Sequence, residues 1–230
     1  MFYDLHIHSA LSPCSNDDMT PNNIVRYAKL CGLDLICVSD HNSFAQQPAV
    51  AAVASEHDLK ILFGAEIQSV EEVHCLTYFQ READYQAFYQ EIEPTLLKIK
   101  NDPEYFGRQL IYDAKDEVID ELEWLLSGSC QLSVEALCTL THQHHGAFVL
   151  AHPLRANGII TQLGFVPKDL KLDGMECRNL DQRKEIEASH PWLTDTLWLR
   201  NSDAHCLIQI GEEPHEISGA ELERLWKNAC

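Results

Sequence analysis

The sequence lacks the features that mark several large protein classes. Its nine cysteines include no CxxC pair and their number is odd, which argues against a disulfide framework and favours reduced thiols. No apolar run reaches membrane-spanning length, and the first residues have neither the basic segment nor the apolar stretch of a secretory signal. P-loop and Rossmann glycine motifs are also absent. We therefore expect a cytoplasmic protein without a membrane partner.

Positive charge is scarce in this chain. There are 17 Lys and Arg against 36 Asp and Glu, which gives a formal net charge of -19. Such a surface repels phosphate backbones, so we expect no binding to long nucleic acid. Bound cations would offset part of this charge, because carboxylates that bind a metal remain in the formal count. The 230 residues are 45% hydrophobic, which is enough for one large core.

Patterns typical of strands and of helices alternate along the chain. The strand patterns lie at 2–8, 33–40, 60–66, 71–79, 146–152, 172–177 and 195–203. The helix patterns follow Thr20 and Pro21, begin at Pro48, run from Glu82 to about Lys100, run from Ser133 to His145, and follow Ser218. Between about 102 and 129 the pattern is irregular. We interpret this segment as an insertion or lid, with a hairpin around 113–116, within a single domain of residues 1–230.

Polar side chains recur at or near the ends of the predicted strands. They are His6, His8, Asp40, His41, Glu66, His74, His152, Glu176, Asp203 and His205. Alternating strands and helices predict a parallel sheet wrapped by helices. In a barrel of parallel strands the active site lies at the carboxyl rim, whereas an open sheet would not bring its first and last strands together. The pattern therefore favours an α/β fold in which seven strands close into a barrel.

The first strand pattern places His6 and His8 on one face, because side chains alternate along a strand. Two imidazoles on one face suit a cation, and Asp4 on the same face could be the hydrogen-bond partner of a histidine. The alternative is a pair of hydrogen-bonded core histidines. Six of the twelve histidines lie near strand ends beside carboxylates, which favours the metal interpretation.

The candidate ligands are too many for one tetrahedral zinc ion and suggest two or three ions, of which Glu66 could bridge two. These ligands are His6, His8, His41, Glu66, His74, His152, Asp203 and His205. A site with several metals makes hydroxide at neutral pH and clamps a phosphoryl group for in-line displacement. Mixed nitrogen and oxygen ligands favour Zn, Mn or Fe over Mg alone, and the sequence does not choose among them.

Six segments resemble the successive motifs of the PHP family, named for polymerase and histidinol phosphatase. They are DLHIHS, VSDHN, GAEI, EEVHCL, AHP and NSDAH, in the expected order from Asp4 to His205. The resemblance implies a distorted seven-stranded (β/α)7 TIM-like barrel, a trinuclear metal site and phosphoester hydrolysis. It also implies that the eight candidate ligands correspond to metal ligands of the family.

The loop after the first strand departs from the family pattern. Family members usually offer an Asp or His a few residues after HxH, and Cys14 occupies about that place, with Asp17 and Asp18 beyond it. A thiolate could bind zinc, so Cys14 joins the predicted ligand set, and Asp17 could reach in instead. The alternative is that Cys14 is a small loop residue and that a third ion is weak or absent.

Two arginines are predicted to bind the substrate. Arg155 follows AHPL, so it starts beside His152 and could clamp a phosphate with paired hydrogen bonds. Arg178 follows Glu176 by two residues and is expected to share its face. The alternative for each arginine is a surface ion pair, and Glu176 could be the partner of either. Arg108, inside the lid segment, is a weaker candidate.

We predict metal-dependent hydrolysis of a small phosphomonoester or a short nucleotide substrate by a metal-bridging hydroxide. The predicted catalytic residues are His41, Asp203, His205 and Arg155. Arg155 would neutralise phosphoryl charge, and His41 or His205 would protonate the leaving oxygen if not fully committed to metal. A short oligonucleotide also fits, because cations create a local positive pocket. The alternatives are a metal-dependent amidohydrolase, although no lysine ends a strand here, and a catalytically inactive metal-binding domain.

Overall fold

Eleven strands and seven α-helices make up the part of the chain that the computed structural model describes, residues 1–229. The strands are β1 (Phe2–Ile7), β2 (Leu35–Val38), β3 (Lys60–Ile61), β4 (Phe63–Gln68), β5 (His74–Phe79), β6 (Leu110–Tyr112), β7 (Val118–Glu121), β8 (Ala147–Leu150), β9 (Gly174–Glu176), β10 (Leu197–Leu199) and β11 (His215–Glu216). The helices are α1 (Pro21–Leu30), α2 (Gln47–Glu56), α3 (Glu82–Ile92), α4 (Val134–Gln143), α5 (Ile159–Leu163), α6 (Leu180–Ser189) and α7 (Gly219–Arg224).

The strands form three separate sheets. Their orders are β11-β1-β2-β3, β10-β9-β8-β5-β4 and β6-β7. Four of the seven neighbouring pairs in the two larger sheets are parallel, whereas β5 runs antiparallel to both β4 and β8, and β11 runs antiparallel to β1. Within residues 1–229 no sheet closes on itself. The predicted (β/α)7 TIM-like barrel is therefore wrong, and the fold is a mixed α/β arrangement of several sheets.

Two local features explain why the strands do not follow the predicted pattern. The segment predicted as one strand over 60–66 breaks at Leu62, whose N–H donates to the Ile36 carbonyl, so that β3 pairs with β2 while β4 joins the other sheet. A tight turn closed by the Ser69 N–H and the Val73 carbonyl then returns β5 antiparallel beside β4. A hairpin of this kind cannot provide the crossover that joins parallel strands.

The two larger sheets meet at isolated parallel bridges near the ends of their strands. Ile7, the last residue of β1, bridges Ala204, which follows β10. His41, which follows β2, bridges Glu66 within β4. These bridges bring the two ends of the chain to one region without a closed barrel.

Sequence signals for several helix ends are confirmed. The side chains of Thr20, Ser133 and Ser218 cap α1, α4 and α7 by accepting hydrogen bonds from backbone N–H groups three residues later. The helix predicted to reach Lys100 is shorter, because Pro94 lies in a 3₁₀ turn that follows α3. Among the residues described, no helix is both long and apolar enough to cross a membrane.

The helices cover the sheets with large apolar side chains. Phe88 of α3 packs against Phe79 of β5 with ring centroids 5.0 Å apart, and both side chains are fully buried. Phe148 of β8 belongs to the same cluster. Burying one such side chain stabilises the fold by about 1.5–3 kcal/mol. This packing fixes β4, β5 and β8, which carry residues of the candidate site.

The predicted hairpin around 113–116 is confirmed by the antiparallel pair β6 and β7. Asp116 has a left-handed φ of 61°, and its carboxylate accepts hydrogen bonds from Thr20 Oγ1 at 2.7 Å and the Asn22 N–H at 3.0 Å. The hairpin is therefore tied to the first turn of α1. Its role as a lid, and the single-domain assignment, stay predictions.

Candidate metal centre

Glu66 lies at the centre of a group of five histidines. Its carboxylate oxygens lie 2.9–3.4 Å from one ring nitrogen of each of His6, His8, His41, His74 and His152. Burial raises the pKa of Glu66, but the neighbouring histidines outweigh burial and hold this pKa well below its ordinary value. An ionised, fully buried carboxylate among imidazole nitrogens is suited to bridging two cations.

Asp203 is the second carboxylate of the group. Its Oδ1 lies 3.3 Å from His6 Nε2, 3.2 Å from His8 Nε2 and 3.8 Å from His205 Nδ1. Its other oxygen, Oδ2, is paired with Arg155. Asp203 has a left-handed φ of 53°, an uncommon conformation for a residue other than glycine. Backbone strain of this kind concentrates at functional sites.

The predicted alternation along β1 is confirmed. His6 and His8 lie on the same side, with their Nε2 atoms 3.1 Å apart, and both side chains are fully buried. Burial lowers the pKa of His8 to about 3, so its ring is neutral at pH 7. Neutral imidazole is the form that binds a metal ion.

Several ring nitrogens in the group lack a hydrogen-bond partner. The Nδ1 atoms of His41, His74 and His152 are buried and have no hydrogen-bond partner within residues 1–229. In His41 and His74 these atoms lie 3.1 and 2.9 Å from Glu66 oxygens, in a geometry that makes no hydrogen bond. Unpaired buried nitrogens are costly unless a ligand satisfies them.

The donor set therefore fits divalent cations. Three groups of side chains offer ligand atoms within 4.8 Å of one another, namely His8 with His41 and His205, His6 with His8 and Asp203, and His41 with Glu66 and His74. His8 and His41 each belong to two of these groups, so neighbouring ions would share them as ligands. Nitrogen and carboxylate donors of this kind match the preferences of Zn, Mn and Fe.

Cys14 and Asp17, the two candidates in the loop after β1, lie in different surroundings. Burial raises the pKa of the Cys14 thiol, but hydrogen bonds with His205 and His41 outweigh burial and lower it to about 7. The Asp17 carboxylate instead faces the Arg108 guanidinium at 3.7 Å. Arg108 also pairs with Glu121 on the exposed surface. The structure therefore places Cys14, and neither Asp17 nor Arg108, near His41 and His205.

Glu176 holds residues of the site rather than an arginine. Its Oε1 accepts hydrogen bonds from His6 Nδ1 at 3.0 Å and from Asn201 Nδ2 at 2.7 Å. Its Oε2 accepts the His152 backbone N–H at 2.9 Å. A carboxylate on Nδ1 leaves the Nε2 lone pair of His6 free to bind a cation.

Asp4 does not contact an imidazole ring, so that prediction is wrong. Its carboxylate accepts hydrogen bonds from the backbone N–H groups of His6 at 3.4 Å, Ser202 at 3.1 Å and Gly211 at 3.3 Å. The short side chain reaches the adjacent backbone rather than a ring two residues away. Asp4 thus fastens the segment after β10 against β1.

Three hydrogen-bonding partners of the candidate ligands were not predicted from the sequence. Ser12 Oγ lies 3.0 Å from His8 Nδ1, Gln68 Oε1 lies 3.3 Å from His74 Nε2, and Asn201 contacts Glu176. Only Gln68 has a readable signal, because it lies two residues after Glu66 and shares its face of β4. Its contact places a proton on His74 Nε2 and leaves Nδ1 for a cation.

Arg155 and Arg178 line a cleft of about 160 Å³ beside the group. The cleft is also lined by His152, Leu154, Glu176, Cys177, Gln182, Asn201 and Asp203. The Arg155 guanidinium pairs with Asp203, whereas the exposed Arg178 side chain makes no hydrogen bond or ion pair within residues 1–229. The cleft therefore offers cationic groups next to the candidate metal ligands.

A buried group of histidines and carboxylates on a mixed α/β scaffold defines a metal-binding class of proteins. The family model for the PHP domain matches residues 4–159, more than half of the chain. The chain therefore belongs to the PHP family, as the six motifs suggested. Family membership supports a metal-dependent hydrolase. Among curated proteins, no sequence matches this chain at a significant level.

Solved structures share the fold at low sequence identity. The lesion-specific endonuclease EndoQ from Pyrococcus furiosus aligns with a TM-score of 0.69 and 19% identity over 100% of this chain and 56% of its own. A Bifidobacterium adolescentis protein assigned as a metal-dependent phosphoesterase gives 0.67 and 18%, over 99% and 96%. An amidohydrolase from Chromobacterium violaceum gives 0.60 and 17%, over 99% and 98%. The chain thus spans just over half of the endonuclease.

Proposed function

We propose that this protein hydrolyses a small phosphorylated substrate with two or three divalent ions, Zn, Mn or Fe, held around Glu66. The single observation that carries the proposal is the approach of five histidine nitrogens to within 3.4 Å of one buried carboxylate. Bound divalent ions supply an activated water and neutralise charge on the phosphoryl oxygens. The proposed ligands are His6, His8, Cys14, His41, Glu66, His74, His152, Asp203 and His205.

In this proposal the arginines of the cleft bind the substrate. Arg155 is 62% exposed at its side chain and already touches Asp203, so its guanidinium lies at the edge between the ligands and solvent. A planar guanidinium can hold two phosphoryl oxygens at once. Among residues 1–229, Arg178 has no ion pair that an incoming anion must displace, so in this proposal it binds a more distant part of the substrate.

His205 is the better candidate for the proton donor to the leaving oxygen, in a site where its Nε2 does not bind an ion. Its side chain is 30% exposed, against 8% for His41, so it reaches the solvent-facing side where a leaving group departs. Its Nδ1 lies 2.8 Å from the Asp203 carbonyl oxygen, which fixes a proton on that atom. His41 faces Glu66 instead, which favours a ligand role.

A substrate panel tests the proposal and its rivals. We expect the metal-loaded protein to release phosphate from phosphomonoesters, and His8→Ala to serve as the inactive control. Amide or lactone opening without phosphate release would support an amidohydrolase, in line with the C. violaceum neighbour. A metal-loaded wild type with no more turnover than His8→Ala on any compound would identify an inactive binding domain.

A short oligonucleotide is the second candidate substrate, favoured by the structural likeness to EndoQ. The net charge of -19 opposes a long strand, because few cations are available to replace counterions along it. The panel therefore includes single strands of increasing length. Turnover that rises with length would contradict the small-substrate proposal, and turnover confined to the shortest strands would support this candidate.

Replacing Arg155 with alanine is expected to lower kcat/KM by roughly 10²–10³, the usual cost of removing one charge-stabilising donor. Arg155→Lys keeps the charge but loses the paired geometry, so an intermediate loss is expected. Arg108→Ala is the matched control, because Arg108 pairs with Asp17 and Glu121 instead. Metal content is measured in parallel. An Arg155→Ala variant with normal metal content and normal kcat/KM would contradict the substrate role.

The proposed thiolate ligand has a spectroscopic test. We expect the protein loaded with Co(II) to show a sulfur-to-cobalt charge-transfer band, because the Cys14 thiol lies near His41 and His205, which lower its pKa. Cys14→Ser should remove this band and keep the visible cobalt transitions of the remaining ligands. Cys206→Ser, next to His205, is the control and should keep the band. A wild-type spectrum without the band would exclude Cys14 as a ligand.

A further inference from the structure

Ser12 connects two candidate metal ligands to a buried carboxylate that is not a ligand. Its Oγ lies 3.0 Å from His8 Nδ1, accepts the His41 backbone N–H at 3.2 Å, and donates to Asp40 Oδ1 at 2.7 Å. Ser12 and His8 are fully buried and Asp40 is 1% exposed. These contacts form one continuous chain from the second strand to the His8 ring.

Counting protons along this chain assigns each bond a direction. The Asp40 carboxylate also accepts the Ser9 N–H at 2.8 Å and the Ser9 hydroxyl at 2.7 Å, so it acts as an acceptor in every contact. A serine hydroxyl has a single proton, and Ser12 gives it to Asp40. The Ser12 oxygen can then only accept, which it does from the His41 N–H. The remaining partner, His8 Nδ1, must therefore be a donor.

We propose that Ser12 is a positioning residue that fixes His8 in the tautomer with its proton on Nδ1. In that tautomer the Nε2 lone pair faces Asp203 Oδ1 at 3.2 Å and Glu66 Oε2 at 3.4 Å, where a cation would be shared. The opposite tautomer would direct an N–H at the same place and exclude the ion. The inference rests on the proposed function for the location of the ion, whereas the Ser12 contacts are present in the metal-free chain.

His6 and His8 both donate a hydrogen bond from Nδ1 in this assignment, but to different kinds of partner. His6 Nδ1 donates directly to the Glu176 carboxylate at 3.0 Å. His8 reaches its carboxylate through a hydroxyl, and the same hydroxyl also holds the backbone of His41. Loss of the Ser12 oxygen would therefore disturb two histidines, and an alanine there would leave His8 Nδ1 without any partner among its present contacts.

Nuclear magnetic resonance of the metal-free protein tests the tautomer directly. Two-bond proton–nitrogen correlations of ¹⁵N-histidine report which ring nitrogen is protonated, and His8→Gln identifies the His8 signals. We expect the Nδ1–H pattern in the wild type, its loss in Ser12→Ala, and its return in Ser12→Thr, which restores a hydroxyl. Ser9→Ala is the matched control, because Ser9 binds the same carboxylate without touching the ring.

Metal affinity provides the second measurement. Competition with a chromophoric chelator should show binding about 10–100-fold weaker in Ser12→Ala, the usual effect of removing a partner of a metal-bound histidine. Ser9→Ala should bind metal more tightly than Ser12→Ala does. If Ser12→Ala fails to fold, the wild-type and Ser12→Thr spectra decide the question.

Two results would overturn the inference. One is a wild-type His8 that carries its proton on Nε2 in the metal-free protein. The other is a folded Ser12→Ala variant with an unchanged tautomer and unchanged affinity. A wild type with the expected tautomer, weaker metal binding in Ser12→Ala and no phosphoester turnover would contradict the proposed function and support this inference.

Discussion

Replacing Glu66 with glutamine is expected to lower kcat/KM for phosphoester hydrolysis by roughly a thousandfold or more, which corresponds to about 4 kcal/mol of lost transition-state stabilisation. The amide keeps the shape of the side chain and removes its charge. It also places an N–H₂ group among the five histidine nitrogens that now face carboxylate oxygens. We expect at least one ion to be lost, as elemental analysis of the purified variant would show.

Glu56→Gln is the matched control for this substitution. Glu56 is the exposed last residue of α2, so the same chemical change there should leave metal content and turnover at wild-type values. A Glu66→Gln variant that keeps its full metal content and loses less than about tenfold in kcat/KM would contradict the bridging role, because a single charge-stabilising group is commonly worth more than that.

The clustering of the candidate ligands could be predicted because the position of each depends on a short local pattern. His6 and His8 face one side because a strand alternates. His41 and Asp203 lie beyond strand ends and Glu66 lies within β4, and each is a polar group that follows an apolar run and needs partners. Such patterns identify which residues need polar or charged partners, whatever the connection between the strands is.

Whether the strands form one closed barrel or several open sheets could not be predicted in the same way. The run over 60–66 contains no proline, and the residue at its break is Leu62 rather than a glycine. Nothing at that position therefore signals the change from one sheet to the other. The direction of β5 also leaves no trace in its alternation, because a strand has the same period in either orientation. The bridges of Ile7 with Ala204 and of His41 with Glu66 assemble the site instead.

The partners of the ligands were the least predictable part of the site. Asp4 shares a face with His6, yet its carboxylate binds backbone N–H groups, because reach and angle decide the partner. Ser12 gives no sequence signal, since a serine in a loop suits many roles. Hydrogen-bond partners depend on how distant segments pack together, whereas the positions of the candidate ligands follow from the local pattern of single strands.

Removing the ions with a chelator is expected to abolish turnover and to lower the melting temperature. An ion present at 100–1,000 times its Kd stabilises the folded state by about 2.7–4.1 kcal/mol. Each kcal/mol corresponds to about 2–4 °C for a chain of this size, so loss of one ion should lower Tm by about 5–15 °C. Calorimetry before and after chelation, followed by addition of Mn, Zn or Fe, measures the shift and its reversal.

The direction of this shift in Tm follows from the partners that the candidate ligands lack when no ion is bound. Without ions, the buried Nδ1 atoms of His41, His74 and His152 have no hydrogen-bond partner among residues 1–229, and unfolding would expose them to water. Bound ions remove that penalty in the folded state alone, so they favour folding. Glu66→Gln should therefore melt nearly alike with and without chelator. A wild type that contains metal by elemental analysis but melts at the same temperature after chelation would show that the ions lie elsewhere than among these histidines.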